Sequence, residues 1–167
     1  MIFTASSNGQ FTLAGRMVPC AIGRSGMIAA AQKREGDGAS PIGIWPIRRF
    51  VYRADRLALP QTLLPITATQ VQDGWCDEAD DPLYNQPVTL PYLASTEQMW
   101  REDHVYDLVA ILGHNDAPPV PGMGSAIFLH LARPGFTPTE GCIALSLEDM
   151  LEVMRLAEPG SAIEIRR

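Results

Sequence analysis

Proline and glycine set the strongest limit on how this chain can fold. The 167 residues contain 14 of each. Between Pro60 and Pro91 a proline recurs so often that only short extended segments fit, because proline breaks a helix interior. Their combined share nevertheless stays below the ~25–30% typical of disordered chains. We therefore expect a folded, turn-rich molecule, organised as a single domain over residues 1–167.

Charge and hydrophobicity narrow the classes of partner. The formal net charge is −6, which argues against a non-specific nucleic-acid binder, since phosphate contacts need a basic surface. Partners with exposed amines suit an acidic chain better. The longest purely aliphatic run, residues 108–112, is far shorter than the ~20 residues of a membrane span. We expect no membrane span, and a monomer is the expected state.

The first residues, MIFTASSNGQF, have neither a basic segment nor an apolar segment of the secretory type. From the sequence alone, the expected location is therefore the cytoplasm.

Hydrophobic patterning predicts mostly strands. Asn8-Gly9 is a tight-turn signal between two β-prone segments. Continuous apolar runs such as LVAIL and AIFLHL are typical of strands covered on both faces. The residues between 32 and 46 are rich in glycine and proline and predict a loop. The predicted strands are residues 2–4, 11–13, 47–53, 108–112, 126–131, 142–145 and 162–165.

Two segments predict helices. Ser146 and Asp149 form a capping pair, and Pro159-Gly160 ends the helix that they begin. We expect its apolar face to consist of four residues at helical spacing: Leu147, Met150, Leu151 and Met154. A second, short helix is expected over residues 95–101, with Met99 and Trp100 packed inward. The sum is a mainly β domain with one or two short helices.

The cysteine count favours free thiols. Cys20, Cys76 and Cys142 are an odd number at wide spacing, which is untypical of a disulfide framework or a zinc site. Cys20 lies in an apolar stretch and predicts a buried, inert thiol. Cys76 follows Trp75 in what we interpret as a polar loop, and a structural role is expected. No metal and no cofactor are predicted.

Cys142 stands out because of its neighbours. His130 interrupts an apolar strand twelve residues earlier, and Thr139, Glu140 and Gly141 precede the cysteine. A cysteine nucleophile needs a base to form thiolate and backbone N–H groups to hold an oxyanion, and glycine allows the required turn. From the residues alone, a hydrogen-bonded core histidine and a buried thiol remain an equally simple explanation.

The stretch from His130 through TEGCIAL resembles the His…Ser/Thr-x-Gly-Cys signature of L,D-transpeptidase catalytic domains of the YkuD type. Three further segments are similar to the family, the second of them to its compact branch: KREGDGASPIG at 33–43, WCDEADDPLYNQPV at 75–88 and GHNDAPPVPGMGSAIFLH at 113–130. The resemblance covers nearly the whole chain. It implies a mainly β fold, a mixed β-sandwich or open barrel with one or two short helices.

The resemblance also implies a bacterial cell-wall activity. Family members attack a peptidoglycan stem peptide at the L-centre of diaminopimelate, release D-alanine and pass the thioester to an amine, by 3→3 crosslinking or amino-acid exchange. Here Cys142 would be the nucleophile and His130 the general base. Backbone N–H groups of Gly141 and Cys142 would form the oxyanion hole, and Thr139 would orient the histidine. By family analogy the location would be periplasmic.

Two departures from the family pattern matter. Many members have His at the position of Glu140 and Arg at that of Ala144. The role of that arginine either stays unfilled at Ala144 or passes to Arg133, which is also a candidate to bind a substrate carboxylate. We expect the Glu140 side chain to point away from the thiol, because its charge would oppose thiolate formation.

Other residues are candidates for substrate binding. His114 and Asn115 follow a predicted central strand, and either contact substrate or serve the turn there. Tyr84, with Asn85 and Trp75, is a candidate for lining a groove. The acidic residues between 73 and 81 do not match a calcium loop and predict a solvated segment. His104 is expected at the surface, and the segment from Lys33 to Asp37 is expected to be a structural loop.

Three functions stay open at this point. The first is acyl transfer on stem peptides or their fragments, and the second is hydrolysis of the same thioester by a peptidase or amidase. The third is a catalytically inactive module that binds cell-wall peptides.

Overall fold

The computed structural model describes residues 1–167, and strands make up most of its regular structure. There is one α-helix, α1, Leu147–Leu156, and three short 3-10 turns, at Ala30–Gln32, His104–Tyr106 and Pro134–Phe136. The thirteen strands are β1 Ile2–Ser6, β2 Gln10–Leu13, β3 Arg16–Pro19, β4 Met27–Ala29, β5 Ser40–Tyr52, β6 Ile66–Ala68, β7 Asp73–Cys76, β8 Pro87–Thr89, β9 Thr96–Gln98, β10 Leu108–Leu112, β11 Phe128–Leu131, β12 Ile143–Leu145 and β13 Ala162–Arg166.

Ten strands form one strongly curved sheet. Its path runs β12-β11-β10-β5-β13-β1-β2-β3, with β4 and β6 paired to the two ends of β5. The two ends of this path meet: Ala21, just beyond β3, exchanges backbone hydrogen bonds of 2.9 and 3.0 Å with Ala144 of β12. The sheet is therefore nearly closed, and β7, β8 and β9 form a separate three-stranded sheet. The prediction of a mainly β open barrel is confirmed.

The predicted loop over residues 32–46 is wrong in its second half, where β5 begins at Ser40. Proline lacks a backbone donor, but its carbonyl still accepts hydrogen bonds. The Pro41 carbonyl accepts from Trp45 Nε1 at 2.9 Å, and that of Pro46 accepts from Gly113 N–H at 2.8 Å. Pairing of residues 40–42 with β4 and of residues 43–46 with β13 outweighs the local proline and glycine content.

The predicted helix over residues 95–101 is also wrong. Residues Thr96–Gln98 form β9, which pairs with β7 so that Glu97 lies opposite Trp75. A weak local helix pattern is easily overridden by strand pairing of this kind. Met99 is buried as expected, whereas Trp100 is half-buried and stacks on the Arg53 guanidinium, 3.5 Å from the ring centre.

The C-terminal helix begins as predicted but turns a different face inward. The Ser146 hydroxyl accepts from the Asp149 N–H at 3.1 Å and donates to the Asp149 carboxylate at 2.6 Å. The predicted face is only half right: Met150 and Met154 are buried with Val153, while Leu147 and Leu151 are exposed. The buried stripe is shifted around the helix because Val153 and Ala157 take the inward positions.

Two hydrophobic clusters cover the two faces of the sheet at β10 and β11. One contains Leu108, Ala110 and Leu129 and packs against α1, β1 and β2. The other contains Val109, Ile111 and Phe128 and faces the three-stranded sheet. Cys142 belongs to the second cluster, and this face carries the site described below.

The other two cysteines are buried. Cys20 is buried as predicted, and burial raises the pKa of its thiol to about 12. Cys76 lies inside β7 with no exposed surface, so the interpretation of its surroundings as a polar loop is wrong. The longest helix of the chain has ten residues, and none is long and apolar enough to cross a membrane.

Candidate active site

A cavity of about 680 Å³ opens between the main sheet and the three-stranded sheet. Cys142 and His130 both line it, as do Thr139, Arg133 and Glu140. The sequence placed these residues together on one motif, and the structure brings their side chains to one cavity.

Parallel pairing of β11 and β12 sets this arrangement. His130 lies opposite Ala144, and Leu129 lies opposite Ile143. Side chains alternate between the two faces of a strand. Cys142, two residues before Ala144, therefore shares a face with His130, whereas Leu129 and Ile143 point into the other core cluster. This register is what places a sulfur and an imidazole in the same cavity.

The Cys142 thiol is held in its neutral form. Its Sγ donates a hydrogen bond to the Ala126 carbonyl at 3.2 Å and accepts one from the Phe128 N–H at 3.4 Å. Burial, reinforced by the negative charge of Glu97, raises the pKa of the thiol to about 12. The Phe128 N–H and the Lys33 charge act in the opposite direction but do not outweigh burial.

His130 is neutral too, with its tautomer set by the backbone. Nδ1 lies 2.9 Å from the Leu131 carbonyl, which only accepts, so Nδ1 carries the proton and Nε2 keeps a free lone pair. The ring meets that of Tyr106 edge-on, with 5.3 Å between the ring centres. Burial lowers the pKa of the imidazole to about 4. No hydrogen bond joins His130 to Cys142, whose thiol proton is directed at Ala126.

Thr139 supports the Gly-Cys turn and not the histidine, which corrects the role that the resemblance implied. Its hydroxyl donates to the Cys142 carbonyl at 2.6 Å and accepts from the Gly141 N–H at 3.2 Å. The Gly141 N–H is therefore occupied in this structure. The Cys142 N–H has no acceptor within the protein, so it is the free donor that an oxyanion would meet.

Gly141 is required by the backbone. Its φ is +132°, a region that side chains disfavour, and a Cβ there would lie 3.0 Å from the Ala39 carbonyl oxygen. The loop carrying Ala39 thus presses directly against the turn that presents Cys142.

The family model of the L,D-transpeptidase catalytic domain, YkuD, matches residues 4–165. The chain belongs to this L,D-transpeptidase family. Among solved structures, it is similar to Mycobacterium tuberculosis L,D-transpeptidase 1, at 17% identity and a TM-score of 0.45. The match covers 99% of this chain and 61% of that one, so the present chain spans less than two thirds of its length. No curated protein matches.

The structure shows the contacts of the residues that depart from the L,D-transpeptidase pattern, and of Arg133. Glu140 is 77% exposed at the cavity mouth and pairs with Arg24, Oε2 to Nε at 2.7 Å. Ala144 is buried opposite His130. Arg133 reaches the cavity but already pairs with Asp103 at 3.1 Å, and Asp103 also binds Arg101 at 2.8 Å. These two cations hold the pKa of Asp103 at about 2.

Three candidate substrate-binding residues lie outside the cavity lining of this L,D-transpeptidase domain. Tyr84 is buried, and its hydroxyl donates to Glu35. His114 is buried against Trp45, and Asn115 joins Val120 and Gly124 across a loop by hydrogen bonds of 2.8 to 3.0 Å. Direct substrate contact by these three residues stays a prediction, although none of them lines the cavity. For Asn115, the turn role is the one observed.

Part of the cavity lining comes from residues that the sequence does not predict. Lys33, Glu97, Arg101 and Tyr106 all reach the cavity. Lys33 was assigned to a structural loop, yet it is 2% exposed and pairs with Asp37. Glu97 was hidden by the wrongly predicted helix. The signal in the sequence that could have indicated Lys33 is that it is the single lysine of the chain and stands just before Glu35-Gly36-Asp37.

Proposed function

We propose that this L,D-transpeptidase domain is a cysteine acyltransferase that acts on peptidoglycan stem peptides. Family membership supports the class of reaction. The observation that carries the proposal is that Cys142 and His130 line the same cavity, with Nε2 of His130 unprotonated and unpartnered. Thioester chemistry requires at least a thiol nucleophile and a base close to it, and a thiol and a free imidazole nitrogen in one cavity meet this requirement.

The reaction begins with a proton transfer. The Cys142 side chain rotates away from the Ala126 carbonyl and gives its proton to Nε2 of His130. The sulfur attacks the peptide carbonyl, and the Cys142 N–H donates to the oxygen that becomes negative. The C–N bond then breaks, His130 returns the proton to the departing D-alanine nitrogen, and a thioester remains on Cys142.

The second half returns the enzyme to its starting state. An amine of a neighbouring stem attacks the thioester, its proton passes to His130, and the C–S bond breaks to release the crosslinked product. The sulfur regains the proton from His130. Because the thiol and the imidazole are both neutral in the empty cavity, the ion pair forms only when substrate occupies the cavity.

The thioester step is tested with a covalent ligand and with substrate. We expect a carbapenem to add its mass to Cys142, detected by mass spectrometry of the intact protein, and the Cys142→Ser variant to show no such adduct. Absence of an adduct on the wild-type protein, together with no turnover of a tetrapeptide, would leave a binding module as the function.

Transfer is separated from hydrolysis by the product. Incubation of a tetrapeptide donor with an amine acceptor is expected to yield the crosslinked peptide, with D-alanine released in equal amount. If only the tripeptide is formed, water is the acceptor and the domain is a peptidase. His130→Gln is the matched control, because it keeps a hydrogen-bonding side chain but offers no base of similar strength.

A further inference from the structure

Four carboxylates line the cavity that contains Cys142. One of them, Glu140, pairs with Arg24, and the other three, Glu35, Asp77 and Glu97, come from three separate segments of the chain. Glu97 accepts a hydrogen bond from the Tyr106 hydroxyl at 2.6 Å, and its nearest cation, Arg101 Nη1, lies 3.9 Å away. Burial and the two neighbouring carboxylates raise the pKa of Glu97. The negative charge here is thus poorly compensated.

The cations that line the cavity are already engaged. Lys33 is paired with Asp37, and Arg101 and Arg133 share Asp103. Neither Asp37 nor Asp103 lines the cavity. These positive charges are therefore largely neutralised by carboxylates outside the lining, which leaves Glu35, Asp77 and Glu97 as the acidic groups that an entering ligand meets.

Polar atoms without partners lie on the same lining. Ser125 is 7% exposed, and its hydroxyl has no partner in good hydrogen-bond geometry. Oδ1 of Asp77 is likewise buried with no partner. An unsatisfied buried polar atom costs free energy, and a cluster of acceptors is satisfied by a ligand that donates several hydrogen bonds. A primary ammonium group, with three donors and one positive charge, has this chemistry.

We infer that Glu97, Asp77 and Ser125 form a subsite for a primary ammonium group of the substrate, and that filling this subsite releases Cys142 for catalysis. The inference rests on the proposed function, because it concerns the same cavity. Glu97 is a positioning residue: it acts on the sulfur through its charge and binds the substrate at a point away from the reacting carbonyl.

The release follows from the charges that face the sulfur. Glu97, Tyr106, Lys33 and His130 all line the same cavity as Cys142, and the negative charge of Glu97 opposes that of a thiolate. While the charge of Glu97 is balanced only by the distant Arg101, a thiolate is repelled. An ammonium bound to Glu97 cancels that repulsion, so proton transfer to His130 becomes easier at the moment when substrate is in place.

The test uses three methanethiosulfonates that differ in charge. The reagents carry a 2-aminoethyl, a methyl or a 2-sulfonatoethyl group, and their rates with Cys142 are measured by mass spectrometry and divided by their rates with 2-mercaptoethanol. We expect the wild-type protein to favour the cation over the neutral reagent about tenfold, and Glu97→Gln to lose that preference. An unchanged preference in Glu97→Gln would overturn the subsite.

Two further measurements exclude a merely structural role. Glu97→Gln should react several-fold faster than wild type with the neutral reagent, since one negative charge near the sulfur is gone, whereas a collapsed site would react more slowly with all three. Glu140→Gln is the matched control: it removes a lining carboxylate that Arg24 already neutralises, and its charge preference should change less than twofold. If Glu140→Gln loses as much of the charge preference as Glu97→Gln does, the preference arises from the overall negative charge of the cavity and not from Glu97.

Substrates identify which ammonium is bound. With a diaminopimelate tetrapeptide as donor and a separate amine acceptor, Glu97→Gln raises the KM of the donor if the side-chain ammonium of the donor fills the subsite. It raises the KM of the acceptor if the acceptor fills it. An unchanged KM for both overturns the inference. Failure of the proposed function shows differently, as the absence of turnover and of a carbapenem adduct in the wild-type protein.

Discussion

The surroundings of Cys142 determine how the reactivity of its thiol depends on pH. Its thiol pKa is raised to about 12 in the empty cavity, and only the thiolate is a good nucleophile. We therefore expect the rate of alkylation by iodoacetamide to rise about tenfold per pH unit from pH 7 to pH 10, without a plateau. Peptide mapping by mass spectrometry measures it. A plateau near pH 7 would show a thiolate already formed in the resting protein.

Gly141 allows a second prediction at the scale of one residue. Gly141→Ala adds a Cβ at a φ of +132° and 3.0 Å from the Ala39 oxygen, so we expect the free energy of unfolding to fall by about 2–3 kcal/mol and turnover to drop sharply. Gly122→Ala is the control, because its φ is +75° but nothing lies within 4 Å. It should lose about 1 kcal/mol. Equal losses measured by urea unfolding would contradict the role of the Ala39 contact.

At the scale of elements, the helix cap is separable from the active site. Ser146→Ala removes the acceptor for the Asp149 N–H, and we expect a loss of about 1 kcal/mol in urea unfolding with kcat unchanged. Ser146→Thr retains a hydroxyl and should restore most of the stability. If kcat falls in a variant whose stability is restored, the cap also helps to position β12 and Cys142.

The strands and the helix also show how much of the fold the sequence could predict. The runs that became β10 and β11 were found because each is apolar on both faces, and α1 was found from its cap. The first half of β5 and all of β9 are not predicted, because both are held by pairing with other strands: β4 and β13 for the first half of β5, and β7 for β9. Propensity and spacing hold no information about such partners.

The residues of the candidate site likewise fall into a group that the sequence predicts and a group that it does not. Cys142, His130 and Thr139 were predicted, since they lie on one continuous motif. Glu97 and Tyr106 were not, because the wall that they form comes from a segment joined to the motif only by tertiary contacts.

At the scale of the whole molecule, stability depends on groups buried in their neutral form. Burial lowers the pKa of His130 to about 4, so below its ordinary value near 6.5 the unfolded chain takes up a proton that the folded protein refuses. Stability from this group is complete above about pH 6.5 and is lost as pH falls to about 4, by about 3 kcal/mol. The pKa of Asp103, held at about 2, extends the loss into stronger acid.

At alkaline pH the folded protein holds more protons than the unfolded chain, so its stability falls as the pH rises. Folded Cys20 and Cys142 keep their protons up to about pH 12, while an unfolded thiol loses its proton near pH 8.5. We expect the free energy of urea unfolding to be greatest between about pH 7 and 8 and to fall on both sides. His130→Gln should flatten the acid limb between pH 6.5 and 4. An acid limb that stays equally steep in this variant would assign the loss to the carboxylates.

The hydrogen bond from the sulfur of Cys142 to the Ala126 carbonyl has a consequence for chemical durability. Peroxides consume thiolates, and a protonated, buried thiol reacts slowly with them. An idle molecule of this protein therefore withstands oxidants that would destroy a permanently ionised nucleophile. Under the proposed mechanism, the sulfur is exposed to sulfenic acid formation only in the short interval in which substrate has drawn the proton away.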